Sequence, residues 1–178
     1  MDKDIFINLE KIVVSGNVLD IGVDNQGIVY NLYKHYNDEI SVDYIDGKEE
    51  KNSIEKNKYD SCMLFFTLHK IWFNAFKKQF IKDINCFLKD DGFIYVWDID
   101  KGYKCYFKSK IKILLPDRSI KIIRIKDYNL CKNNTKENIK AMLEQYFDIE
   151  EYTSSNRVFF IKAKKKGIIS NEGVINSN

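Results

Sequence analysis

None of the four cysteines, Cys62, Cys86, Cys105 and Cys131, forms a C-x-x-C pair, which argues against a zinc site and against a disulfide framework. No stretch reaches 18 apolar residues, so no membrane span is expected. The N-terminal Met-Asp-Lys-Asp lacks a signal-peptide pattern, and a cytoplasmic location is the default expectation. Charge of one sign is also missing in bulk. A formal net charge of +3 gives no global bias toward nucleic acid. No internal repeat is evident, and the single proline, Pro116, opens a turn signal at Pro116-Asp117-Arg118-Ser119. What the chain has in quantity is core material. At 44% apolar and 14% aromatic, its 178 residues can fill one domain, expected over 1–166, with the polar residues 167–178 a flexible tail. Cys62 and Cys86 fall on segments read as buried, and both are expected to be reduced core residues.

The most specific stretch is 18–27, Val-Leu-Asp-Ile-Gly-Val-Asp-Asn-Gln-Gly. An apolar strand ends at Asp20, turns through Gly22 and Gly27, and continues into helical spacing. A P-loop needs Lys and Ser or Thr directly after its second glycine, where Ile28 and Val29 stand. A dinucleotide turn needs a middle glycine where this chain has Asp24. A carboxylate about 5 Å from a phosphate charge costs roughly 3 kcal/mol at an effective dielectric near 20, so a pyrophosphate is disfavoured. An ordinary strand-turn-helix of an α/β fold is the bland alternative. Downstream, Ile40-Ser41-Val42-Asp43 reads as a short strand ending in an acid, 23 residues after Asp20. That is near the distance at which a carboxylate holds a ribose diol; a simple strand-end turn former is the alternative. Tyr59-Asp60 then opens the apolar run 61–66, followed by Thr67-Leu68-His69-Lys70-Ile71. Lys89-Asp90-Asp91-Gly92 ends a helix and precedes the apolar strand 93–97.

In their order and spacing these segments resemble the class I S-adenosylmethionine-dependent methyltransferases, over roughly residues 15–165. The match lies in Val18, Leu19, Asp20, Ile21, Gly22 and Gly27, in Asp43, and in the Leu68-His69 pair at a strand exit. Asp24 departs from the pattern, which has glycine there. The resemblance implies an α/β, three-layer αβα Rossmann-like sheet, mostly parallel, with a C-terminal antiparallel hairpin strand. It implies S-adenosylmethionine as cofactor, whose positive sulfonium and ammonium groups suit carboxylates at the turn. The implied cofactor contacts are Asp20, Gly22, Val23, Asp24, Gly27, Asp43 for the ribose, Tyr44 against the adenine, and Phe66. The contact to the adenine amino group has no clear residue, Asp46 and Glu55 being weak candidates.

The rest of the chain reads as follows. Ile5, Phe6, Leu9, Ile12 and Val13 suggest a short helix over 4–14; strands are expected at 17–21 and 40–44 and a helix over 26–36. Only 14 residues separate Tyr44 from Tyr59, too few for a full crossover, so the helix and strand of region 45–58 are expected to be trimmed. Phe73, Phe76, Phe80, Ile84, Phe87 and Leu88 have the spacing of a helix's core face. An inserted β-hairpin is expected near 105–126. Phe107, Ser109, Ile111 and Ile113 would face one way and Lys108, Lys110 and Lys112 the other; Ile120, Ile122 and Ile125 would alternate imperfectly with Lys121, Arg124 and Lys126. Thr135 is placed as the cap of a helix through Tyr146, before a closing hairpin of 148–153 and 158–163.

Methyl transfer needs aligned reactants and, for an acceptor with a labile proton, a general base. His69 is the candidate for base or acceptor ligand, against a purely structural helix-start role, and Tyr30 and Trp97 could line the acceptor space. The family's Asn/Asp-Pro-Pro-Tyr signature is absent, Phe66-Thr67-Leu68-His69 standing in its place, which leaves a small-molecule acceptor as the expectation. The Lys108/Lys110/Lys112 face could hold a phosphorylated acceptor, an RNA backbone or an acidic partner, against edge-strand lysines that block aggregation; no aromatic interleaving of the single-strand-binding kind is evident on that face, so nucleic acid is not the expected partner. Two other readings are a degenerate member of the fold that binds without turnover and, with less support, an NAD-binding oxidoreductase.

Overall fold

The computed structural model describes residues 4–22, 26–39, 41–46 and 54–167. In chain order the elements are β1 (Asp4–Asn8), β2 (Val18–Ile21), α1 (Ile28–Tyr36), β3 (Val42–Ile45), β4 (Tyr59–Phe65), α2 (Asn74–Phe87), β5 (Leu88–Ile99), β6 (Phe107–Leu114), β7 (Ile120–Asp127), α3 (Lys136–Leu143), β8 (Phe147–Ser155) and β9 (Val158–Lys165). Six strands form one sheet in the order β3-β2-β4-β5-β9-β8. The first four are parallel, and β9 and β8 close the sheet antiparallel. The central strands are apolar on both sides because both faces are covered. Val18, Met63, Phe65 and Trp97 pack toward α1 and toward Phe107, Ile111 and Ile125, whereas Leu19, Cys62, Leu64 and Val96 pack toward α2 and α3.

The αβα layering holds with one modification. β1, β6 and β7 form a separate three-stranded sheet that shares the α1 layer. The expected hairpin is therefore present, and it recruits residues 4–8, which are a strand and not the start of a helix. Ile5 and Ile7 face Ile111 and Ile113 across a parallel pairing. The helical spacing of the first residues misleads because the pairing partner lies far along the chain. The trimming expected of region 45–58 falls largely on residues 47–53, which lie outside the described residues; β3 is the edge strand, and among the described residues no strand lies between Ile45 and Tyr59. The tail from 168 onward lies outside the described residues.

Further expectations are corrected. Phe73 and Phe76 are 62% and 64% exposed, and Lys77, Ile81 and Ile84 take the inward positions of α2. A lysine can stand there because its ammonium meets the Asn133 carbonyl and Asn134 Oδ1, both at 2.7 Å. α2 ends at Phe87, and residues 88–92 already belong to β5, so the Lys-Asp-Asp-Gly stretch is extended. In β7 the inward positions are Lys121, Ile123, Ile125 and Asp127, set opposite Ile113, Ile111, Ser109 and Phe107. Cys62 is buried as expected, but Cys86 is exposed on the outer side of α2. Thr135 does cap α3, its side chain accepting from Asn138 N, although α3 stops at Leu143.

Candidate functional site

β2 leads to β3 on one side of the sheet and β4 lies on the other, so the carboxyl ends of β2 and β4 form the switch point at which open α/β sheets bind ligands. The local fit is tight. Thr67 Oγ1 donates to Ile21 O at 2.9 Å, and a Cβ built on Gly22 would lie 2.9 Å from that same oxygen. Gly22 is therefore required by close approach. Gly27 has φ 64°, the left-handed region, and leads directly into α1. Phe66, at the exit of β4, also has positive φ (53°) although it is bulky and buried. Strain of this kind persists only where the surroundings over-determine it, and it clusters at ligand sites. Asp20 is buried at the end of β2. Val23 and Asp24 lie outside the described residues.

β3 carries the next groups. Asp43 is level with Leu19, two positions before the end of the strand pairing. Its Oδ2 accepts from the Tyr59 hydroxyl at 2.7 Å and lies 3.2 Å from Lys58 Nζ. The Tyr59 bond is the main cause that holds the Asp43 carboxyl below its usual range, and burial together with Asp43 pushes Tyr59 up to about 12. The residue at the tip of the strand is Asp46: Gly22 N donates to Ile45 O at 3.1 Å, which sets the exposed Asp46 beside the glycine turn. Tyr44 projects to the opposite side from Asp43 and donates its hydroxyl to Gly22 O at 2.5 Å, bracing the turn.

Beyond Phe66, a cleft of about 500 Å³ opens between the exit of β4 and the free edge of β7, lined by Phe66, His69, Trp72, Arg124, Lys126 and Tyr128 among others. His69 sits in the 3-10 turn Leu68–Lys70. Its backbone N donates to Asp98 Oδ2 at 3.1 Å, and its ring Nδ1 lies 2.9 Å from Asp98 Oδ1. Asp98, fully buried at the end of β5, also accepts from Ile99 N at 2.7 Å. The Asp98 carboxyl orients the ring through Nδ1, so that Nε2 is the ring nitrogen left for another partner. Asp98 escaped the sequence reading, although its signal was there: Val96-Trp97-Asp98 ends an apolar strand in an acid just as Leu19-Asp20 does. Trp97 does not line the cleft; it is core, stacked on Phe65 and Phe160 with centroids 4.4 Å away in each case. Tyr30 is 42% exposed on α1, with Lys34 near its ring, and is likewise not among the residues of the cleft.

Behind the cleft lies a buried polar layer. Lys132 Nζ donates to His69 O at 3.2 Å and sits 3.7 Å from Asp127 Oδ2. Lys101 Nζ donates to Asn129 O at 2.6 Å and lies 3.6 Å from Asp127 Oδ1. Burial is the main cause that lowers Lys77 to about 8. These groups fasten the 128–134 loop beneath the His69 turn.

No protein-family model and no curated protein matches the sequence. Solved structures do match the fold. An S-adenosylmethionine-dependent methyltransferase from Clostridium acetobutylicum superposes with TM-score 0.58 at 13% identity, covering 89% of this chain and 87% of that one. One from Methanosarcina mazei gives 0.53 at 13% identity, covering 93% of each chain. The 1,6-didemethyltoxoflavin-N1-methyltransferase of Burkholderia thailandensis, solved with S-adenosylhomocysteine bound, gives 0.52 at 12% identity, covering 84% of this chain and 70% of that one. The chain has the class I methyltransferase fold. At the switch point a side chain on Gly22 would force Thr67 to shift, and the acids Asp20 and Asp46 stand at the ends of β2 and β3.

Proposed function

We propose that the protein binds S-adenosylmethionine at the carboxyl ends of β2, β3 and β4 and methylates an acceptor held in the cleft beside His69. The observation that carries this reading is the junction of Gly22 with Thr67 at the ends of β2 and β4, two residues before His69, whose ring meets Asp98. The cofactor supplies a methyl carbon already activated by its sulfonium, so the protein's task is alignment and, where needed, proton removal. Asp46 is the better-placed carboxylate for the ribose diol, because Asp43 stands short of the strand end and is engaged by Tyr59 and Lys58. Tyr44 holds the glycine turn in shape, and Gly22, Gly27 and Phe66 bring backbone close to the ligand. His69 Nε2 takes a proton from the acceptor, and Asp98 keeps the imidazole oriented and stabilises it when charged. A small-molecule acceptor suits the cleft volume.

Calorimetry with S-adenosylmethionine and S-adenosylhomocysteine tests the assignment. Binding at micromolar levels is expected, and failure of both to bind below about millimolar removes it. Asp46→Ala is expected to weaken binding by roughly 1.5–3 kcal/mol, the scale of a charge-assisted hydrogen-bond pair. If Asp43→Ala carries that loss instead, the ribose role returns to Asp43. Tight binding with no methyl transfer to any acceptor would favour the reading of a binding protein without turnover.

A further inference from the structure

The outward side of the β6–β7 hairpin is a ladder of like charge. Lys108 stands opposite Lys126, Lys110 opposite Arg124, and Lys112 opposite Ile122. On the same side of the neighbouring β1, Asp4 is the single acid among the described residues, paired with Lys112 at 2.7 Å. Like charges directly opposite one another destabilise a sheet. Edge protection does not account for Lys108, Lys110 and Lys112, because β6 is the middle strand of its sheet, between β1 and β7; only Arg124 and Lys126 stand on an edge strand. One rung past the charged pairs, at the open end of the hairpin, Tyr106 and Tyr128 stand 62% and 58% exposed with ring centroids 6.2 Å apart. Trp72, 61% exposed, lies across the cleft with Lys132 Nζ 5.5 Å from its ring. Arg124, Lys126, Tyr128 and Trp72 all line the cleft that holds His69, so the ladder runs into its mouth.

From these features we infer that the outer face of the β6–β7 hairpin binds a single-stranded nucleic acid. Its phosphates lie along the cation ladder and its bases stack on Tyr106, Tyr128 and Trp72. Successive outward residues on a strand are about 6.8 Å apart, so the three rungs extend about 14 Å, the length of roughly four stacked nucleotides. Exposed rings beside a cationic track are the means by which proteins hold unpaired strands without reading sequence, whereas a duplex hides its base faces. The face is separate from the Gly22 turn, so its binding is measured without cofactor; Arg124, Lys126, Tyr128 and Trp72 also line the His69 cleft, and a failure of strand binding leaves the cofactor assignment standing.

The test is fluorescence anisotropy with labelled 12-nucleotide oligo(U) and oligo(dT), a 12-base-pair duplex, and phosphatidylserine vesicles as competitor. Micromolar binding to a single strand is expected at 50 mM salt, weakening roughly 50-fold at 200 mM if about four phosphates are neutralised. Oligo(U) and oligo(dT) differ in the 2′-hydroxyl and in the base methyl, and binding of either supports the proposal. Lys110→Glu with Arg124→Glu should weaken binding at least 10-fold, and Tyr128→Ala at least 5-fold, each with the thermal midpoint retained. The milder Lys110→Gln with Arg124→Gln gives the same direction should the charge reversal disturb folding. No binding to either oligonucleotide, tighter binding to the duplex, displacement by vesicles in the absence of a tyrosine effect, or unchanged affinity in the charge variants would overturn it.

Discussion

At the scale of single residues, the site rests on buried polar groups whose partners come from distant parts of the chain. Asp98 is the clearest. Its carboxylate satisfies His69 N, His69 Nδ1 and Ile99 N, all in a buried setting. Asp98→Ala strands these donors and is expected to cost about 3 kcal/mol, read from the urea midpoint. Asp98→Asn, which keeps one acceptor oxygen, should cost less. Lys77 gives a pH signature. Its ammonium is faced by Asp98 and Asp127, which favour the charge, and by Lys101 and Lys132, which oppose it; burial, the largest cause, acts with the two lysines against the two acids and lowers it to about 8. Because the folded value lies below the ordinary 10.5, the unfolded chain binds more protons between them. Stability therefore carries a penalty below pH 8 that is relieved as pH rises toward 10.5, by at most about 3 kcal/mol. Denaturation at pH 7.5 and 9.5 should show this rise in the wild type and lose it in Lys77→Met. Equal pH slopes in the two proteins would exclude Lys77 as its source.

At the scale of elements, two contacts decide how the site is assembled. Gly22 and Thr67 lock the end of β2 to the exit of β4. In Gly22→Ala the new methyl meets Thr67 Oγ1, which must give up its bond to Ile21 O. A loss of about 1–2 kcal/mol is expected by thermal or urea denaturation. Combining it with Thr67→Ala should cost less than the sum of the two single losses, since both disturb the same contact. Additive losses would show that the clash is relieved elsewhere. The second contact is the pairing of β1 with β6, which turns an inserted hairpin into a three-stranded sheet and raises one wall of the cleft. The alternation of Phe107, Ile111 and Ile113 with lysines is plain in the sequence. β7 is harder to read, because the run Ile120-Lys121-Ile122-Ile123-Arg124-Ile125 fits either phase. The register with β6 settles it, placing Ile123 and Ile125 inward and Arg124 and Lys126 outward.

At the scale of the whole molecule, the glycine turn proposed to hold the cofactor joins β2, β3 and β4, so ligand binding there should act on the domain as a unit. With S-adenosylhomocysteine at about 100 times its dissociation constant, linkage gives about 2.7 kcal/mol of added stability. For a chain of this size that raises the melting temperature by roughly 5–10 °C. Asp46→Ala at the same ligand concentration should show a clearly smaller rise. A rise equal to that of the wild type would remove Asp46 from the site. The three-stranded sheet beside α1 gives this methyltransferase fold a second, cationic surface that continues into the His69 cleft.

Local chemistry determined what the sequence shows by itself. The apolar strand ending at Ile21 and Gly22, the strands around Cys62 and Tyr95 and the Thr135 cap depend on neighbours within a few residues, and all were legible. Tertiary structure decided the rest, because it depended on partners far along the chain. Ile111 and Ile113 make residues 4–8 a strand. The Asn133 carbonyl and Asn134 let Lys77 displace Phe73 and Phe76 from the core. Gly22 and Ile45 bring Asp46 level with the glycine turn, ahead of Asp43. His69 gains its meaning only when β5 sets Asp98 beside it, since two strand ends become one site only where the sheet makes them neighbours.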